Sequence, residues 1–137
     1  MKLLVDTNVV LDLAQRRPGF AEAAAGVFAA IEDRRATGFV AGHTLTTAFY
    51  VIRRTEGTQS AALAIGNLLR ILEVVPVERG DLLQALAFQW RDFEDAVQAV
   101  CAEKAGVDAI VTRDLADFRD SRIPVISPVG ALARLAA

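Results

Sequence analysis

Cysteine and histidine are nearly absent from this chain, with one of each, and neither sign of charge is in excess. The lone Cys101 excludes an internal disulfide and fits a reducing compartment. Cys101 and His43 together leave too few sulfur and imidazole ligands for a zinc centre. Fifteen basic side chains face seventeen acidic ones, for a formal net charge of −2. The molecule is therefore no polycation, and any grip on nucleic acid must come from a local patch. No apolar run approaches the roughly 20 residues of a membrane span. The opening Lys2-Leu3-Leu4-Val5-Asp6 does not read as a signal peptide. We expect a cytoplasmic protein without membrane contact. What the chain does have is apolar mass: 53% of its residues are hydrophobic. That is enough to build one core in one domain spanning residues 1–137.

Met1 to Asp12 is the stretch around which the rest is organised. Leu3-Leu4-Val5 is apolar without alternation, the pattern of a strand buried on both faces. Asp6-Thr7-Asn8 are turn and cap formers, and Val9, Val10 and Leu13 give the next segment a helical face. An acid at the carboxyl end of a central parallel strand lies where open α/β sheets bind ligands.

Short strands and helices then alternate. Arg16-Arg17-Pro18-Gly19 is a turn, and Phe20 to about Arg35 is helical. Phe39-Val40-Ala41 is a second strand, followed through Gly42-His43-Thr44 by a helix that Thr55 to Thr58 breaks. Ser60 is the expected cap of the next helix. Leu72 to Val77 is a third strand. Asp81 with Gln84 makes a capping-box pattern, and Leu82, Leu86 and Phe88 are the expected packing face of the helix it opens. Trp90-Arg91-Asp92-Phe93 interrupts the periodicity before a helix beginning at Glu94-Asp95 and ending at Gly106. Ala109-Ile110-Val111 is a fourth strand. Ile123 to Ile126 is a fifth, placed at the sheet edge by Pro124, and Pro128 opens a last helix. The pattern predicts a single α/β domain, with a central parallel sheet of about five strands flanked by helices.

Asp6 ends the first strand, Glu94 and Asp95 open a helix, Asp114 follows the fourth strand, and Asp117 lies three residues on. Parallel strands present their carboxyl ends along one edge, so Asp6 and Asp114 can converge there. Carboxylates gathered in one cleft repel, and a hard divalent ion, Mg²⁺ or Mn²⁺, is the natural occupant. Such an ion can activate water and stabilise charge on a phosphate.

Leu4 to Asp12, Asp92-Phe93-Glu94-Asp95-Ala96-Val97 and Ile110-Val111-Thr112-Arg113-Asp114 resemble, in order, the acidic motifs of the PIN-domain ribonucleases. Phe118, four residues after Asp114, matches the family's ending of that loop. The likeness is strongest to the VapC-type toxins of bacterial toxin–antitoxin pairs. It implies a PIN-like fold and a metal-dependent endoribonuclease. It also implies metal-binding, catalytic roles for Asp6, Asp95 and Asp114, with Asp117, Glu94, Thr47 and Asn8 as accessory positions. A cognate antitoxin and a homodimer are implied as partners, with the helices of Phe20 to Ala36 and Ser60 to Arg70 as contact surfaces. One position departs. Thr47 stands where the family usually has a glutamate, three residues after a threonine that is Thr44 here. Glu94 adjoins Asp95, but neighbours on a helix diverge by about 100°, so the two are not expected to share one ion.

Paired arginines can grip an RNA backbone around such an acidic centre. Arg16, Arg17 and Arg53 are the candidates, since Arg16-Arg17 follows the Asp6 helix and Arg53 ends the Thr47 helix. Two rivals stand beside the nuclease. A phosphatase or receiver-like domain would show Asp-x-Asp or a partnering lysine, which Asp6-Thr7-Asn8 and Lys104 do not convincingly supply. A catalytically weak or inactive PIN-like module that binds RNA or antitoxin is the other, kept open by Thr47.

Overall fold

Leu3, Leu4 and Val5 are fully buried because β1 (Lys2–Val5) is the middle strand of a five-stranded sheet. The structure, a computed structural model, describes residues 1–136. β2 (Thr37–Ala41) and β3 (Leu72–Val75) lie on one side of β1. β4 (Ala109–Val111) and β5 (Val125–Ile126) lie on the other. Every neighbouring pair is parallel. Leu4 pairs with Phe39 on one side and Ile110 on the other.

Alternate strand residues point to opposite faces, and the core divides accordingly. Leu3, Val5, Val40 and Val111 pack into one apolar layer. Its helices are α1 (Thr7–Ala14), α2 (Ala21–Glu32), α3 (Gly42–Glu56), α4 (Thr58–Ile71) and α7 (Pro128–Ala136). Leu4, Ala41 and Ile110 pack into a second layer with α5 (Arg79–Ala87) and α6 (Phe93–Ala105). A 3₁₀ turn, Leu115–Phe118, caps that side through the buried Phe118 ring. No helix among the described residues is long and apolar enough to cross a membrane.

The expected element order holds, with local corrections. The predicted cap at Ser60 is wrong: α4 starts at Thr58 with Gly57 as its N-cap, because Gly57 takes a positive φ of 89° that joins it directly to α3. The capping box also moves. Glu78 is the N-cap and Asp81 the third residue of α5, each side chain bonding the other's backbone, so Gln84 has no part. Leu82 and Leu86 are exposed, and Ala85 carries the packing of α5 instead. The third strand stops at Val75, and the fifth is only Val125-Ile126. Gly106 ends α6 in the left-handed region, φ 67°, as its position suggests.

Chain order in the sheet is β3-β2-β1-β4-β5, so the winding reverses between β1 and β4. Loops leaving the carboxyl ends of those two strands run to opposite sides and open a crevice between them. Asp6 follows β1 directly, and Thr112 to Asp114 follow β4.

Candidate metal-binding site

Asp6 is fixed before it meets anything else. It is the N-cap of α1, and Oδ1 accepts from the Thr7 N–H at 2.8 Å. Oδ2 accepts from the Thr112 hydroxyl at 2.8 Å. That hydroxyl in turn accepts from the Asn8 amide at 3.2 Å and from the Asp114 N–H at 3.1 Å. Asn8 also donates to Asp114 Oδ2 at 3.0 Å. One short network therefore ties the ends of β1 and β4 together and sets the positions of Asp6 and Asp114.

Asp95 comes from the other face. Asp92 caps α6, accepting from the Asp95 N–H at 3.1 Å, so Asp95 occupies the first turn, where the helix dipole favours negative charge. Carboxylate oxygens of Asp6, Glu94 and Asp95 lie within 4.8 Å of one another. Asp6 is 3% exposed and Asp95 7%. The expectation that Glu94 and Asp95 cannot share one point is overturned. Side chains in a first turn lean toward the helix N-terminus, and the extra methylene of Glu94 lets its carboxylate swing back to its neighbour. Asp114 and Asp117 are exposed and outside this triplet, yet their charges add repulsion to it, Asp114 at Asp6 and Asp117 at Asp95.

Burial pushes the Asp6 carboxyl up to about 6, against the pull of the Thr112 and Thr7 hydrogen bonds, with Glu94 and Asp114 adding repulsion. Burial pushes Asp95 up to about 8, helped by the charges of Asp6, Asp92, Asp117 and Glu94. Among the described residues no lysine or arginine pairs with Asp6, Glu94 or Asp95. Three carboxylates, two of them buried and without a cation, suit a hard divalent ion, which takes oxygen ligands and offsets their repulsion.

Beneath the triplet lies a buried hydroxyl–amide knot. Thr7 and Thr44 hydroxyls are 2.9 Å apart, and the Gln98 amide donates to both, at 3.1 and 2.9 Å. It joins the first turns of α1 and α3 to α6. Thr47 lies one turn beyond Thr44 and is half-buried. His43, next to Glu94, has both ring nitrogens buried without a partner among the described residues, and burial lowers its pKa, so it stays neutral.

Arg16, Arg17 and Arg53 are not among the residues that line the acid-walled cavity. Arg17 bonds Gln15 at 2.7 Å and reaches Asp12 at 3.5 Å. Arg53 is in the last turn of α3, about 16 Å along the axis from the helix start. Arg91 and Arg119 instead line this open cavity, of about 940 Å³, together with Glu94 and Asp117. Lys104 is about 13 Å along α6 from Asp95 and is held by Glu78 and Asp81. It cannot serve a phosphatase-like centre at Asp6.

Sequence reasoning missed Asp12 and Thr112 as working residues. Asp12, fully buried, accepts from Arg113 Nε and from Arg113 NH2 at 2.6 and 3.1 Å. The same guanidinium lies 4.0 Å above the Phe20 ring. Only the place of both residues inside the motifs hinted at either.

A family model described as the PIN domain matches residues 2–116. Ribonuclease VapC1 of Aquifex aeolicus is 24% identical over 118 residues, covering 82% of this chain and 81% of that protein. The solved DNA-bound VapBC of Salmonella typhimurium superposes with a TM-score of 0.72 at 17% identity, over 93% of this chain and 98% of that one. VapC20 of Mycobacterium tuberculosis, a sarcin–ricin loop cleaving toxin, does so at 0.65 with 20% identity, over 79% and 86%.

Proposed function

The chain belongs to the PIN-domain family, and on that premise we propose that it is a metal-dependent endoribonuclease, the toxin of a bacterial toxin–antitoxin pair. The observation that carries this reading is the triplet of Asp6, Glu94 and Asp95 at the reversal point of the sheet, which no lysine or arginine among the described residues pairs. The similarity to a VapC ribonuclease supports the reaction class.

Asp6, Glu94 and Asp95 would hold Mg²⁺ or Mn²⁺, with Asp114, steadied by Asn8, as a further carboxylate ligand beside Asp6. When bound, such an ion lowers the pKa of water and offsets charge on a phosphodiester. The protein's own share is order. Thr112 and the Thr7 N–H hold the Asp6 oxygens in one orientation, so no reorganisation is needed at the moment of reaction. The Thr7–Thr44–Gln98 knot keeps α6, and Asp95 with it, at a fixed distance from Asp6. Burial first and its neighbours' charges second hold the proton of Asp95 up to about 8. A bound cation would offset those charges and favour its ionised form.

Thr47 would weigh toward an inactive binding module if nothing replaced the glutamate it displaces. Glu94 adds a negative charge beside Asp6 and Asp95, which favours the enzyme.

Toxin–antitoxin complexes among the similar structures support an antitoxin partner. A groove of about 460 Å³ between α1, α2 and α4, lined by Val10, Leu13, Phe28, Leu68 and Ile71, suits an apolar segment of it. A homodimer completes the proposal.

Incubation of the purified protein with single-stranded RNA and Mn²⁺ tests the reading. Internal cleavage that EDTA and Asp6→Asn both abolish is expected. Intact RNA under every metal condition would leave only the binding module.

A further inference from the structure

Neither the core nor the acid triplet accounts for Phe93. It is the first residue of α6, it is 45% exposed, and it belongs to neither apolar layer. The part of an aromatic ring left in water contributes nothing to folding. It lines the cavity of about 940 Å³, one residue before Glu94, whose carboxylate is part of the triplet. Arg91 and Arg119 share the wall, and among the described residues neither enters an ion pair. Gln89 adds an amide from a backbone held at φ 58°, a left-handed conformation rare outside glycine.

We propose that this cavity is a subsite for one unpaired nucleobase of the RNA, with the exposed Phe93 ring as its stacking platform. The proposal rests on the ribonuclease reading and adds a recognition element to it. Charge decides the class of ligand. Asp92, Glu94, Asp117 and Asp120 line the cavity against two guanidiniums. That balance leaves no grip on a phosphate beyond the two arginines, and the rest of the wall suits a neutral, flat ring. The arginines can hold the phosphates on either side of the base, and stacking tolerates any base because each has a π face. Trp90 is not the platform. Its ring is packed between Phe88 and Phe118, at centroid distances of 5.4 and 5.9 Å. Seated on Phe93, a base would lie beside the acids where its own phosphate is cleaved.

Trp90 is the only tryptophan and lines the same cavity, so its fluorescence reports occupancy. The test is a titration in EDTA, where no cleavage occurs, with single-stranded oligoadenylate and with an abasic ribose-phosphate chain of equal length. Wild type should bind oligoadenylate about tenfold more tightly than the abasic chain and show quenching of Trp90. Phe93→Ala and Phe93→Leu should remove that gap and leave the abasic affinity unchanged, with circular dichroism showing the fold intact. Equal affinities in wild type, no measurable binding of either chain, or a gap that survives both variants would overturn the subsite. Cleavage of the same oligoadenylate with Mn²⁺ is read separately. Base-dependent binding without cleavage would remove the nuclease and leave the subsite standing.

Discussion

The two ends of α1 each bury an aspartate, and they solve the burial in opposite ways. Asp12, fully buried, receives a two-pronged bond from Arg113 and a longer contact from Arg17. Asp6, 3% exposed, receives only a hydroxyl and an amide, and its charged neighbours are other acids. A buried carboxylate with its cation is part of the scaffold, because removing either partner leaves a lone buried charge. A buried carboxylate among its own kind weakens the fold unless something else binds there. The contrast separates residues that hold the site from residues that use it, six positions apart on one helix.

Substitution at the two ends should therefore give opposite signatures. Asp6→Asn should abolish cleavage, a larger loss than the roughly 10–100-fold typical of residues that only orient a metal ligand. It should leave the metal-free melting temperature unchanged or raised, since one repelled charge is gone. Asp12→Ala should destabilise the fold by about 3 kcal/mol, read by urea unfolding, because Arg113 then lacks its partner. A destabilised Asp6→Asn together with a silent Asp12→Ala would reverse the assignment.

Thr112→Val is next in size. It keeps the shape of the buried side chain but removes the donor to Asp6 Oδ2 and the acceptor for Asn8 and the Asp114 N–H. Metal affinity or activity should fall about 10–100-fold, measured by titration calorimetry and RNA cleavage, with little change in fold.

The unpaired acids also give stability a pH dependence. From about pH 4 to pH 8 the folded, metal-free protein holds protons on Asp6 and Asp95 that the unfolded chain has released. Raising the pH through that window therefore favours unfolding. The melting temperature should fall across it by at least about 10 °C, equivalent to roughly 3 kcal/mol for a chain of this size, and level off above it. Mn²⁺ should cancel the fall, and Asp95→Asn should remove most of it. A metal-free melting temperature that rises from pH 5 to pH 8 would contradict the account.

The smallest effect concerns the arginines. Arg91→Ala with Arg119→Ala should lower the salt slope of RNA binding by about one for each phosphate left without its guanidinium. Arg16→Ala should leave it unchanged, because Arg16 is outside the acid-lined cavity.

Uninterrupted apolar trios such as Leu3-Leu4-Val5 and Ala109-Ile110-Val111 made the buried strands legible in the sequence, because nothing else suits a strand covered on both faces. Asp6 and Asp95 were legible for a related reason: one ends such a strand and the other opens a helix. The reach of Glu94 was not, since a rule for the middle of a helix does not bind its first turn. Leu82 and Leu86 show a different limit. Periodicity gives a helix an apolar face but does not say whether another element covers it. Asp12 looked like one more polar residue in a motif, and only the folded chain brings Arg113, 101 residues away, onto it.

Titration of Mn²⁺ into the metal-free protein by calorimetry near pH 7 tests the central claim most directly. One ion should bind per chain, with proton release visible as a dependence of the heat on the buffer, because Asp95 gives up its proton on binding. Asp6→Asn should bind far more weakly. Absence of binding to the wild type, or equal affinity in Asp6→Asn, would mean that the buried acids at the reversal point of the sheet are not a metal site.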